Sequence, residues 1–345
     1  MDKNVSNKSN FWDNHTLNDF EPIAYLKDVH SYQISSVCFL KDGRIASSSE
    51  DNYALIYNKI TFKTEIKIKE KKGICYMNVT KDGILITCLR GTYLNLYEIN
   101  GKKYKNIQTI KPYTLIMDII GKFDDSFSIQ KFNELKNGDL VFIIWGYAIS
   151  FYKKKKKSKK YSYYDKYKEP KLNENITDLI ELDNKEFILC FKYEKMIQFL
   201  DMNSKRITKI IKLNLYFSDS KNHLLLMNKN DLFLLGNESI VIIDIQKREI
   251  IKQVEIKVEG YLSSMYKLSN NILIAGYWCN YIEQLEYDEN KKEFKVISNS
   301  RKKKYKSLSL YQTSSIAIFK NNLIAAPYDN KLGKTSIIIY KYKSK

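Results

Sequence analysis

Histidine, cysteine, serine and the carboxylates are where chemistry would start, and their spacing in this chain supports little of it. The three histidines stand far apart at His15, His30 and His223. None opens a His-x-Glu pair, and neither a Cys-x-x-Cys nor a Gly-x-Ser-x-Gly elbow occurs. Zinc chemistry and serine-nucleophile chemistry therefore lack the spacing they need. The five cysteines (Cys38, Cys75, Cys88, Cys190, Cys279) have no short pairing and sit mostly in apolar runs. There a free thiol behaves as a small hydrophobe. The expectation is a non-enzymatic chain with no cofactor and no metal, in a reducing intracellular setting, cytoplasmic or nuclear.

Charge offers a second kind of chemistry. The chain carries 58 basic and 39 acidic residues, a net charge of +19, which invites an anionic partner. Arginine appears only at Arg44, Arg90, Arg206, Arg248 and Arg301, so the excess is lysine. Together with abundant Asn, Ile, Tyr and Phe, this is the bias an AT-rich coding sequence produces. The densest cluster is Lys153, Lys154, Lys155, Lys156, Lys157, Lys159 and Lys160, followed by Tyr161, Tyr163, Tyr164 and Tyr167. Like charges at that density repel and stay solvated, so residues 153–170 read as an inserted loop. A nuclear-import signal, a phosphate-backbone contact and an acidic protein partner are its functional readings.

Something must position these groups, and the bulk numbers allow a real core. Hydrophobic residues make up 44% of 345, with only 4 prolines and 12 glycines, which argues against long linkers. No apolar run approaches the roughly 18 residues that span a bilayer. Residues 1–20 are polar without an apolar h-region, so no secretory leader is expected. Residues 1–18 read as a mobile tail and 19–345 as one domain.

The architecture shows in a turn that recurs. Asp42-Gly43, Asp82-Gly83 and Asn137-Gly138 each sit between apolar runs, as do Asn184-Lys185, Lys229-Asn230, Asn270-Asn271 and Asn321-Asn322. Such pairs tolerate the positive φ of tight hairpins. Anchored on the second residue of each pair, the spacings are 40, 55, 47, 45, 41 and 51 residues. Four-stranded propeller blades repeat at about 40–50 residues. A second strand-like run follows each anchor in register, and several are apolar throughout, such as Ile240, Val241, Ile242 and Ile243. Strands sandwiched between blades lose their alternation, whereas outer strands keep it, as in Glu65, Ile66, Lys67, Ile68 and Lys69. The fold class expected is all-β: a seven-bladed propeller of four-stranded antiparallel blades. The last blade lacks a fourth strand, which Pro22 to Lys27 would supply, closing the ring.

Within the first repeat, His30 precedes Asp42 by 12 residues, with Ile34, Val37 and Phe39 between. The run from Ile45 to Asn58 ends in Tyr57-Asn58. This segment resembles the WD-repeat (Trp-Asp repeat) family, with Tyr57 where Trp usually stands. The resemblance implies a hydrogen-bonded structural tetrad of His30, Ser47 or Ser49, Asp51 and Tyr57. The other repeats keep the strand pattern and lose the His.

The resemblance also implies a binding platform for protein or peptide partners, on the face formed by turns between second and third strands. Those turns hold Arg90, Trp145, Tyr147, Tyr193, Tyr277, Trp278 and Tyr328, residue types that dominate interface hot spots. Leu89-Arg90-Gly91-Thr92 is superficially similar to the Arg-Arg-Gly motif of phosphoinositide-binding propellers. It has one Arg where two are needed, so a phosphoinositide partner is not expected. The alternative function is an RNA- or chromatin-associated propeller using the lysine-rich surface. Either a monomer or a subunit of a larger complex fits.

Overall fold

The Asp-Gly and Asn-Gly turns close hairpins, as their residues predict. Gly43, Gly83 and Gly138 take φ of 87°, 92° and 84°, the left-handed region that glycine enters without steric cost. Each donates its amide to the residue three back, Leu40, Thr80 or Leu135, at 2.8–3.0 Å. The computed structural model describes residues 16–91, 93–111, 129–144, 148–155, 158–168, 176–182, 185–191, 194–214, 224–256, 262–277, 282–299, 316–319, 323–329 and 335–342.

Seven sheets of four antiparallel strands result. A long strand, β1 (Phe20–His30), opens the chain. Blade one is β2 (Ile34–Phe39), β3 (Ile45–Ser49), β4 (Tyr53–Tyr57) and β5 (Thr64–Lys69). Blade two is β6 (Ile74–Val79), β7 (Leu85–Leu89), β8 (Tyr93–Asn100) and β9 (Lys103–Ile110). Blade three is β10 (Ile129–Glu134), β11 (Leu140–Ile144), β12 (Ala148–Lys154) and β13 (Tyr161–Lys168). Blade four is β14 (Ile176–Glu181), β15 (Glu186–Phe191), β16 (Met196–Asp201) and β17 (Arg206–Lys212). Blade five is β18 (Leu224–Leu226), β19 (Asp231–Leu235), β20 (Ser239–Asp244) and β21 (Glu249–Glu255). Blade six is β22 (Leu262–Lys267), β23 (Ile272–Tyr277), β24 (Ile282–Asp288) and β25 (Glu293–Asn299). Blade seven is β26 (Ala317–Phe319), β27 (Leu323–Asp329) and β28 (Thr335–Tyr342), with β1 as its outer strand.

That last pairing closes the ring. Phe20 lies opposite Tyr342, Tyr25 opposite Ile338 and Leu26 opposite Ile337. The first strands of successive blades contact one another from β2 through β22, and β26 meets β2, so they line the axis. Buried apolar side chains gather in clusters that each bridge two neighbouring blades, such as Ile56, Ile66 and Ala54 with Leu85, Leu89 and Tyr97. The inner strands β3, β11, β19 and β23 are buried along their whole length, and outer strands such as β5 and β21 alternate or lie open.

A one-residue register shift recurs between third and fourth strands, at Ile56/Tyr57, Leu96/Tyr97, Phe151/Tyr152, Phe199/Leu200, Ile242/Ile243 and Gln284/Leu285. A bulge at that place increases local twist and swings each outer strand round the blade edge.

Two expectations change in detail. Thr16 caps a short 3-10 turn, Leu17–Asp19, and the buried Leu17 donates its amide to Gln284 Oε1 at 2.8 Å and Ser298 Oγ at 3.0 Å. Leu17 and Phe20 are apolar and fill the seam beside blade six, so residues 16–18 are docked rather than tail; residues 1–15 lie outside the described residues. The lysine and tyrosine segment expected as an inserted loop is instead the β12–β13 hairpin itself. Tyr161 and Tyr167 are buried, which holds β13 against its neighbours.

Candidate functional site

The strand ends of blade one converge at the end of the propeller where β3 turns into β4. His30 closes β1, Ser47 lies in β3 and Asp51 in the turn. Their side chains meet: His30 Nδ1 is 2.9 Å from Asp51 Oδ2, and His30 Nε2 is 2.8 Å from Ser47 Oγ. Ser47 Oγ is in turn 2.7 Å from the Tyr57 hydroxyl. The smaller phenol thus completes the chain that an indole would complete, and burial pushes its pKa up so that the proton stays on. Ser49, the other candidate, donates instead to the Tyr32 carbonyl at 3.0 Å and accepts from the Asp51 amide at 3.2 Å.

Asp51 also organises the turn. It accepts from the Ser31 amide at 3.1 Å and the Tyr53 amide at 3.0 Å. Partial burial raises its pKa, but His30 and these two amides outweigh that and hold the carboxyl below its ordinary value.

Blade two repeats the arrangement with different chemistry. Glu70 stands 40 residues after His30, Thr87 40 after Ser47 and Tyr97 40 after Tyr57. Glu70 Oε1 accepts from Thr87 Oγ1 at 2.6 Å and from the Tyr97 hydroxyl at 2.8 Å, and Glu70 Oε2 accepts from Asn95 Nδ2 at 2.7 Å. Glu70 is 5% exposed, a buried charge met by three donors. The sequence reading missed it; the 40-residue offset from His30, Ser47 and Tyr57 was the signal available. The loop after Glu70 lies on the preceding turn so closely that a Cβ at Gly73 would sit 3.0 Å from the Glu50 carbonyl oxygen.

On this scaffold sits a small exposed group. Arg90 Nη2 contacts both carboxylate oxygens of Glu50 at 2.7 Å, linking the corresponding turns of blades one and two. Both side chains face solvent, at 59% and 40% exposure. Beside His30, the Tyr32 side chain is 63% exposed, a residue the sequence reading did not single out.

Tyr277 requires a correction. Expected on the surface, it is fully buried at the end of β23, and its hydroxyl donates to Glu283 Oε2 at 2.9 Å. It faces the apolar seam between blades five and six, where a ring side chain is needed for filling. Trp145, Tyr147, Tyr193 and Trp278 lie outside the described residues. Tyr328 is paired with Ser336 in the sheet of blade seven. Of the lysine tract, Lys153 and Lys154 end β12, and Lys155, Lys159 and Lys160 lie in the following turn; Lys156 and Lys157 are outside the described residues.

No protein-family profile matches this chain, and no curated protein matches it. Solved structures do. A crystal structure of RRP9 WD40 repeats superposes with a TM-score of 0.68 at 11% identity, covering 94% of this chain and 98% of that one. A propeller in a crystal structure of the mitotic checkpoint complex gives 0.68 at 9% identity, covering 94% and 96%. The structure of U3-55K gives 0.67 at 11% identity, covering 94% and 99%. The chain folds as a WD40-type propeller. At these identities the likeness is one of fold, and the WD40-type ring here is held by its own variants: Tyr57 for the indole in blade one and Glu70 for the imidazole in blade two.

Proposed function

We propose that this WD40-type propeller is a non-enzymatic intracellular scaffold that binds a protein or peptide partner on the face formed by the turns between second and third strands. The carrying observation is Tyr32 together with the Arg90–Glu50 pair, exposed on turns that the His30 and Glu70 networks hold still. Aromatic and arginine side chains on a rigid base lose little entropy on docking and supply most interface energy, about 2 kcal/mol or more each. Trp145, Tyr147, Tyr193, Trp278 and Tyr328 occur between or beside the same strand pairs of later blades in the chain and extend the surface in this reading. The described cysteines support a reducing setting: Cys38 and Cys190 are buried thiols outside any disulfide, and burial pushes Cys38 up to about 12.

Quantitative affinity purification with mass spectrometry tests this. The native chain is compared with Tyr32→Ala/Arg90→Ala and with an alanine set at Trp145, Tyr147, Tyr193, Trp278 and Tyr328. Partners retained by the native chain should fall at least tenfold with each variant. Unchanged recovery from variants with native circular dichroism and melting would contradict the reading.

A further inference from the structure

The outer hairpins of blades two and three meet at the opposite end of the third strands from Arg90. β8 turns into β9 at residues 100–103, and β12 into β13 at residues 155–160. The two hairpins are stapled: Gln108 Nε2 donates to the Tyr161 carbonyl at 2.7 Å, and the Tyr161 amide returns a bond to Gln108 Oε1 at 2.8 Å. Lys159 Nζ meets Glu98 at 2.5 Å and Lys154 Nζ meets Asp82 at 2.7 Å across the same seam. Asp165, on β13, is taken by Lys205 of blade four at 2.6 Å.

Those pairs take up Glu98, Asp82 and Asp165 and leave lysine in excess. Lys102, Lys103, Lys153, Lys155 and Lys160 are exposed, and none enters an ion pair among the described residues. Beside them stand tyrosines with exposed rings: Tyr104 and Tyr163 are each 44% exposed, and Tyr164, at 48%, turns to the seam with blade four. Each is braced from behind by a buried ring. Tyr104 packs edge-on to Tyr97 at 5.8 Å, Tyr163 to Tyr152 at 5.7 Å, and Tyr164 leans on Phe151 at 6.1 Å.

We propose that this rim binds single-stranded nucleic acid, with the unpaired lysines on phosphates and Tyr104 and Tyr163 as stacking platforms for bases. A backbone-tracking strip of cations interleaved with fixed aromatic faces is what such binding requires. A duplex keeps its base faces stacked inside, and an acidic polypeptide has charge but no bases, so neither uses the tyrosines. This surface goes beyond the scaffold reading and does not depend on it, because it uses other residues at the other end of the strands.

Fluorescence anisotropy on the full chain with labelled U20, dT20, a 20-base-pair duplex and a polyglutamate peptide tests it between 50 and 200 mM salt. Binding of either single strand at 50 mM, with affinity falling steeply as salt rises, is expected. Lys153→Gln/Lys155→Gln/Lys160→Gln should reduce the log–log salt slope by about 2, at roughly 0.7 per lost contact. Tyr104→Ala/Tyr163→Ala, which leaves charge unchanged, should weaken single-strand binding at least about fivefold, and the matching Phe variants should restore it. U20 bound more tightly than dT20 makes the ligand RNA; the reverse makes it DNA; equal binding makes it either strand. Three results would overturn the proposal: no single-strand binding at 50 mM, native affinity in folded Tyr→Ala protein, or duplex or polyglutamate bound as tightly as U20. The lysine variants replace exposed side chains only, so their readout stands even where a tyrosine variant fails to fold.

Discussion

Tyr97 donates its hydroxyl to Glu70 at 2.8 Å, and this bond closes in blade two the network that His30 closes in blade one. One site is an imidazole between a carboxylate and a hydroxyl; the other is a carboxylate between two hydroxyls and an amide. Both do the same work, fastening the loop that enters a blade to the second and third strands inside it. Glu70 is therefore a structural acid, and its removal strands three donors. Glu70→Ala should cost about 3 kcal/mol in urea unfolding, and Glu70→Gln distinctly less, because the amide still accepts one of the bonds.

Asp51 gives the blade-one network a pH dependence. Its folded pKa lies below the unfolded value of about 3.9, so its contribution is fully present above that value and is lost as pH falls through the folded one. Asp51→Asn should cost about 1–2 kcal/mol at pH 7. Unfolding titrations at pH 7 and pH 3 should show that gap narrowing at the lower pH.

These two networks mark how far the sequence was legible. The blade count could be read because Asp-Gly and Asn-Gly turns are local: the residues that need positive φ are the residues that make the turn. His30, Asp51 and Tyr57 were legible because the blade-one segment keeps recognisable residue types. Glu70 was not, because it follows the alternating run Lys67, Ile68, Lys69 and looks like one more solvated charge. Only Thr87, Asn95 and Tyr97, brought back by folding, make its burial tolerable. Tyr277 was misplaced for a related reason: the last residue of a strand and the first of a turn look alike in sequence, but alternate positions point to different seams. The lysine tract looked like a loop because charge density outweighed the buried Tyr161 and Tyr167 that make β13 a strand.

The axis carries a further testable pair. Lys131 of β10 reaches Asp178 of β14 at 2.6 Å, with side-chain exposures of 10% and 1%. Asp178 also accepts the Leu224 amide of β18 at 2.9 Å, so three consecutive inner strands are joined. Lys131→Met would leave the carboxylate buried without its cation. The expected loss is about 3–5 kcal/mol, measured by urea denaturation.

Ring closure rests on β1. Deleting residues 20–28 removes the partner of β28 and exposes an apolar strand edge containing Ile337, Ile338 and Ile339. Open edges of that kind recruit other chains. The truncated protein should partition to the insoluble fraction, and a soluble, cooperatively melting truncation would show that the ring closes in some other way.

The central claim is that partners dock on the turns carrying Tyr32, Glu50 and Arg90. Hydrogen exchange on the native chain, alone and bound to a partner recovered by affinity purification, reads this most directly. Added protection should fall on residues 30–32, 50–52, 70–73 and 89–91. Protection confined to the opposite hairpins, around residues 41–43, 81–83 and 100–103, would contradict it.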